Sequence, residues 1–137
     1  MENLKVLWLK RNPVRSVISF ILAKKHSAWV GRQTKEMIEI DCQYLLRRLA
    51  FEDKAGKEAR NALSRTSILD LDYEHLVSNS EKHLGGIQDF LGLPIKEVKT
   101  SLKRQNNKSL RDTVVNYDEL ASHINDSQWA SYLTESR

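Results

Sequence analysis

Leu4-Lys5-Val6-Leu7-Trp8-Leu9-Lys10-Arg11-Asn12-Pro13, continuing as Val14-Arg15-Ser16-Val17-Ile18-Ser19-Phe20-Ile21-Leu22-Ala23-Lys24-Lys25, sets the fold class. Its first part is a short apolar, β-compatible run that stops at the turn-like Arg11-Asn12-Pro13, which reads as a buried strand followed by a loop. Pro13 suits the first position of a helix, where its missing N–H costs nothing. From there Val14, Val17, Ile18 and Ile21 recur at helical spacing and predict a helix to about Lys25.

Outward from this unit, His26 to Gln33 reads as a loop containing Gly31. Thr34 is the expected N-cap of a longer helix carrying Met37, Ile38, Cys42, Leu45, Leu46 and Leu49 and continuing past Gly56 to Ala62. Ser67-Ile68-Leu69-Asp70-Leu71-Asp72-Tyr73 alternates apolar and polar residues, the period of a strand. Ser78 and Glu81 form an S-x-x-E capping box for a helix through Leu84, Ile87, Phe90 and Leu91, which Gly92 and Pro94 end. Within it Gly85-Gly86 marks either close helix packing or a weak helix. Beyond a polar segment, Lys103 to Lys108, short helical pieces are expected at Leu110 to Val115 and Tyr117 to Ile124, with a frayed end near Trp129.

Two strands this far apart cannot form a hairpin, so the expected class is α/β with parallel strands, mostly helical. Parallel sheets are normally covered on both faces and seldom have only two strands. The run Val6-Leu7-Trp8-Leu9 therefore expects further strands beside it, and the sequence has no other candidate.

At 137 residues, the chain is the size of one ordinary domain. Its single cysteine, Cys42, excludes an internal disulfide and the paired spacings of a structural zinc motif, and makes a reducing, cytoplasmic compartment the expectation. A Golgi lumen would apply to a longer parent with an anchor. Apolar runs fall far short of the roughly 18 residues that span a bilayer. The formal charge of +4 favours an anionic partner.

The strand–loop–helix unit offers such a partner free backbone N–H groups and the positive end of a helix dipole. At about 100° per residue, Asn12, Ser16, Ser19 and Ala23 fall on one stripe opposite Val14, Val17, Ile18 and Ile21. Small side chains there admit a large anionic ligand, with Arg11 supplying a forked charge. The plainer reading is that Ser16 and Ser19 face solvent or pack under another segment, and that Arg11 caps a neighbouring helix.

These residues carry a resemblance. Leu7-Trp8-Leu9-Lys10-Arg11-Asn12-Pro13, with Ser19 eight residues after Arg11, resembles the 3′-phosphate-binding segment of sulfotransferases that use 3′-phosphoadenosine 5′-phosphosulfate (PAPS). Ala23 to Trp29 is similar to the A-x-x-x-x-x-W stretch of one branch. Ile68 to Leu76 followed by Phe90-Leu91-Gly92-Leu93-Pro94 resembles the family's Y-E-x-L … F-L-G-L-P block. Lys103 to Leu110, with Asn116 to Leu120 after it, looks like the late nucleotide loop and closing helix.

The resemblance implies an incomplete P-loop-like sulfotransferase fold over residues 1–137. Its parts are a 3′-phosphate motif at 9–25, a second strand and helix at 67–94, and a late loop with closing helices at 99–133. It implies PAPS as co-substrate, no metal, and sulfuryl transfer by in-line displacement to a hydroxyl or amine acceptor, a carbohydrate or small molecule. Arg11 and Ser19 match the residues that hold the 3′-phosphate. Arg104 and Lys108 are the next nucleotide-contacting candidates, with Lys103 and Arg111 behind them, each also readable as solvated surface charge.

No G-x-x-R/K-S-G-T-like phosphosulfate loop occurs in the sequence, so the expectation is a C-terminal portion of the family fold. An upstream segment or an oligomer partner would then complete it. His26 is the candidate base, or else an exposed loop histidine; Trp29 stacks on an acceptor or packs. No histidine pair stands at i, i+4, and Cys42 reads as a buried mid-helix hydrophobe. Two competing readings are a catalytically incomplete remnant and a nucleic-acid-binding module built on Arg47-Arg48 and Lys103-Arg104. The interspersed acidic residues and the lack of a known nucleic-acid motif weigh against the latter.

Overall fold

Backbone hydrogen bonding and capping place nine elements in the computed structural model, which describes residues 3–26, 37–99 and 109–134. In chain order they are β1 (Lys5–Lys10), α1 (Pro13–His26), α2 (Cys42–Ala62), β2 (Ser67–Asp72), α3 (Tyr73–Ser78), α4 (Ser80–Phe90), α5 (Leu110–Thr113), α6 (Tyr117–Asn125) and α7 (Ser131–Thr134). The expected loop after His26, Thr34, Trp29 and the polar segment 103–108 lie outside the described residues. The chain divides into two compact units: Met1–Arg11 with Glu58–Ser101, and Asn12–Lys57 with Leu102–Arg137.

The first unit holds the sheet. β1 and β2 pair in parallel as expected, with Lys5 opposite Ser67 and Lys10 opposite Asp72. Paired residues share a face, so Leu7, Leu9, Leu69 and Leu71 line one side. The expected buried strand is not found: Val6 and Trp8 are half-buried, and Leu7 and Leu9 are exposed at 40% and 52%. No described residue of this unit is fully buried. The physical reason is the one anticipated from sequence, that two strands cannot cover each other's faces.

Polar contacts supply much of the order here. Arg60 donates two hydrogen bonds to the Asp70 carboxylate, at 2.8 and 3.0 Å, while its guanidinium lies 5.3 Å from the Trp8 ring centre. Lys10 approaches the same carboxylate at 3.5 Å. The hydrogen bonds from Arg60, more than its charge or that of Lys10, hold the Asp70 carboxyl below the usual aspartate range. A lowered folded value stabilises the folded form above the ordinary value of about 3.9 and loses that contribution as pH falls through the lowered one. Asp70→Asn is accordingly expected to flatten the acid limb of the thermal-stability profile below about pH 4. Both groups are partly exposed, so the effect is small and shrinks with added salt.

The capping box is replaced by a different solution. Ser78 closes α3, its hydroxyl donating to the His75 carbonyl at 3.0 Å, and Asn79 stands before α4. The effective cap lies upstream, where Asp72 Oδ1 accepts the N–H groups of Glu74 and His75. α4 ends where expected, at Gly92 with φ of +70°, and Gln88 then pins the exit by two 3.1 Å hydrogen bonds with the Lys96 backbone. A Cβ at Gly85, Gly86 or Gly92 meets nothing within 4 Å, so the glycine pair marks a weak helix and not a close approach. Gly85→Ala is expected to stabilise by about 1 kcal/mol. Gly92→Ala is expected to destabilise by about 1–2 kcal/mol through the left-handed backbone alone, and urea unfolding of the two variants separates the signs.

The second unit contains the hydrophobic core. Val14, Val17, Ile18 and Leu22 of α1 pack in one cluster with Ile38, Ile40, Cys42, Leu45, Leu49, Val114, Leu120, Ile124 and Trp129. The helix expected from Thr34 begins only at Cys42. Asp41 caps it, accepting the Tyr44 N–H at 3.0 Å, and Ile38 instead pairs with Val114, donating to Thr113 O and accepting from Val115 N. Cys42 is thus the first residue of α2 and not mid-helix, though it is buried as expected. The end near Trp129 is not frayed, because Trp129 is in the core and Asn12 Nδ2 donates to the Tyr132 carbonyl at 2.8 Å. Among the described residues no helix is long and apolar enough to cross a membrane.

Candidate functional site

β1 ends one residue before Arg11, and the register that sets Lys10 opposite Asp72 carries Arg11 alongside Tyr73. The guanidinium lies 4.5 Å from the Tyr73 ring centre. This stacking restricts the side chain's rotamers. Tyr73 was not singled out as a site residue from sequence. Its signal was the Y-E-x-L block, in which it is the tyrosine.

The stripe along α1 is corrected in part. Asn12 is buried at 7% exposure and Ala23 at 6%; Ser16 is exposed and Ser19 half-buried. Asn12 serves the fold, its Oδ1 accepting the Arg15 N–H at 3.2 Å and its carbonyl the Ser16 N–H at 2.9 Å. With Pro13 lacking a donor, most of the first turn's N–H groups are already spoken for. The helix end by itself therefore has few N–H groups left for an anion. Arg11 belongs to the sheet unit and Ser19 to the helical unit.

Of the remaining candidates, His26 is the last residue of α1. Lys103, Arg104 and Lys108 lie outside the described residues. Arg111 is exposed, paired with Asp118 at 3.1 Å and stacked 4.4 Å from the Tyr117 ring centre. Arg48, half of one basic pair, is ion-paired with Glu52 at 2.6 Å and stacked on Phe20 and Phe51.

A second constellation stands in the helical unit. Cys42 opens α2, while Glu119 and His123 lie one turn apart on α6. Asn116 ties the two segments: its Oδ1 accepts the Ile40 N–H at 2.9 Å, and its Nδ2 donates to Ile40 O at 2.7 Å and to Glu119 Oε2 at 3.2 Å. Burial, then the Glu119 and Asp41 carboxylates, push the Cys42 thiol above its ordinary range. The i, i+4 spacing of Glu119 and His123 on α6 is the one local signal for this group, and Cys42 joins it from α2.

A parallel strand pair joined through helices is an α/β arrangement. Residues 1–97, which take in β1 through α4, match the sequence profile of the Sulfotransferase family, and the chain belongs to that family. It is also similar to Nodulation protein H of Rhizobium tropici, with 22% identity over 137 residues, 96% of this chain and 55% of the relative. The chain thus spans little more than half the length of that curated relative. No solved structure matches it.

Proposed function

We propose that this chain carries the 3′-phosphate half of a PAPS site in an enzyme that moves a sulfuryl group to a hydroxyl or amine acceptor, a carbohydrate or small molecule. The observation that carries the reading is the family match across the segment containing Arg11 and Ser19, with Arg11 already oriented on Tyr73. A half-buried, stacked guanidinium suits a phosphate, which takes a forked donor bidentately. PAPS would supply the activated sulfuryl group. Arg11 and Ser19 would hold the 3′-phosphate, and Arg104 and Lys108 further nucleotide oxygens. His26 is retained as candidate base at the end of α1. Transfer in such a reaction rests on cations placed against developing oxygen charge and on positioning of the acceptor.

The exposed leucine face supports a second element of the proposal, that the sheet is completed by further strands, from an upstream segment or a partner copy. The experiment is a titration of 3′-phosphoadenosine 5′-phosphate (PAP) and of 5′-AMP against the chain, alone and with any in-frame upstream segment restored. PAP binding well above AMP is expected in the restored chain, followed by sulfated product when PAPS and an acceptor are supplied. Equal affinity for the two nucleotides would remove the 3′-phosphate assignment. PAP binding without product would leave the chain as a binding remnant.

A further inference from the structure

Cys42 Sγ, a Glu119 carboxylate oxygen and a His123 ring nitrogen all lie within 4.8 Å of one another. They come from two helices far apart in sequence, so local periodicity does not account for their meeting. They line an open cleft of about 550 Å³ whose other residues include Lys25, Glu39, Asp41 and Asn116. We propose that Cys42, Glu119 and His123 bind a divalent, borderline-soft cation, with zinc the best fit, and leave the fourth position to water.

The donor set decides the class of ion. Calcium and magnesium take oxygen ligands, whereas one sulfur, one nitrogen and one oxygen suit zinc in a tetrahedral site with an open position. Zinc–ligand bonds of about 2.0–2.3 Å set tetrahedral donors about 3.3–3.8 Å from one another. The three donors therefore need to close by up to about 1.5 Å. Glu119 is exposed and His123 half-buried, so both have room to turn while Cys42, in the core, stays fixed.

Charge and support agree with this. Three carboxylates, Glu39, Asp41 and Glu119, face the cleft against one ammonium, Lys25. Asn116, itself held by the Ile40 backbone, donates to Glu119 Oε2 and leaves the other carboxylate oxygen for the metal. A fixed hydrogen bond to a ligating carboxylate is the usual outer support of such sites. On binding, a Zn–S bond forms and the thiol proton passes to water.

The test is a titration of the untagged chain with Co²⁺ and then Zn²⁺, followed by absorption. One equivalent of cobalt is expected to bring up a thiolate-to-metal charge-transfer band in the near ultraviolet and tetrahedral bands in the visible, both erased by zinc. C42S is expected to lose the charge-transfer band. E119Q and H123Q, at sites that are not fully buried, are expected to weaken binding at least tenfold with the helical circular dichroism unchanged. His75 and His83 stack at 6.5 Å elsewhere in the chain and supply the control. Cobalt bound without the charge-transfer band, or bound equally by C42S and lost in H75Q, overturns the proposal.

Discussion

Leu45→Ala is expected to cost about 2–5 kcal/mol, the range for emptying a fully buried leucine position. Leu45 has no solvent exposure and sits on the face of α2 that also carries Cys42 and Leu49. Around it the cluster draws on α1, on the Ile38–Val114 bridge and on α6, none of which can move inward without breaking its own packing. Removing three carbons there loses transfer free energy and leaves a cavity. A domain of ordinary stability has about 5–15 kcal/mol in all, so the variant should unfold at a markedly lower urea concentration. Leu69→Ala, on the half-covered sheet face, is expected to cost under about 1 kcal/mol, because its area is only partly removed from water. Equal losses at the two positions would contradict the concentration of the core in the helical unit.

That unevenness explains which features could be read from sequence. β1, α1, β2 and their parallel pairing follow from local periodicity and the turn at Arg11-Asn12-Pro13, signals that do not depend on a distant partner. The misread elements are those decided by distant residues. Met37 and Ile38 continue the helical spacing of Cys42 and Leu45, yet Ile38 is taken up by Val114, and Asp41 caps the helix that remains. Trp129 lies in a segment with little pattern, and its placement rests on the core and on Asn12 reaching Tyr132. Ser78 and Glu81 satisfied a pattern, but Asp72 was already capping α3 and drew the chain into a short helix first.

The same division applies to the sites. Arg11 stood out in the sequence as a cation at a strand end before a helix, and the structure stacks it on Tyr73. Its partner Tyr73 comes from the neighbouring strand's end and becomes visible only with the register. Ser19 stood out through the small-residue stripe, of which Asn12 and Ala23 at the ends are packed inside. Cys42 with Glu119 and His123 gave no sequence signal beyond one i, i+4 spacing, since two helices must pack before the three donors meet.

Arg11→Ala is expected to lower PAP affinity about 10–100-fold, the loss of a charge-assisted hydrogen-bonded contact worth about 1.5–3 kcal/mol. Binding of 5′-AMP, which lacks the 3′-phosphate, should change little, so the diagnostic quantity is the ratio of the two affinities measured by calorimetry. Arg11→Lys keeps the charge but gives up the fork and the flat stack on Tyr73, and should recover only part of the ratio. Tyr73→Leu removes the ring under the guanidinium, a contribution of about 0.5–1 kcal/mol, and should cost PAP a few-fold. Tyr73→Phe should cost less, since the π-face remains. The sharpest measurement is the double variant with Ser19→Ala. If both side chains hold one phosphate, the two losses are coupled by about 0.5 kcal/mol or more and do not add. Strict additivity, or an unchanged PAP-to-AMP ratio in Arg11→Ala, would show that the two residues do not share that ligand.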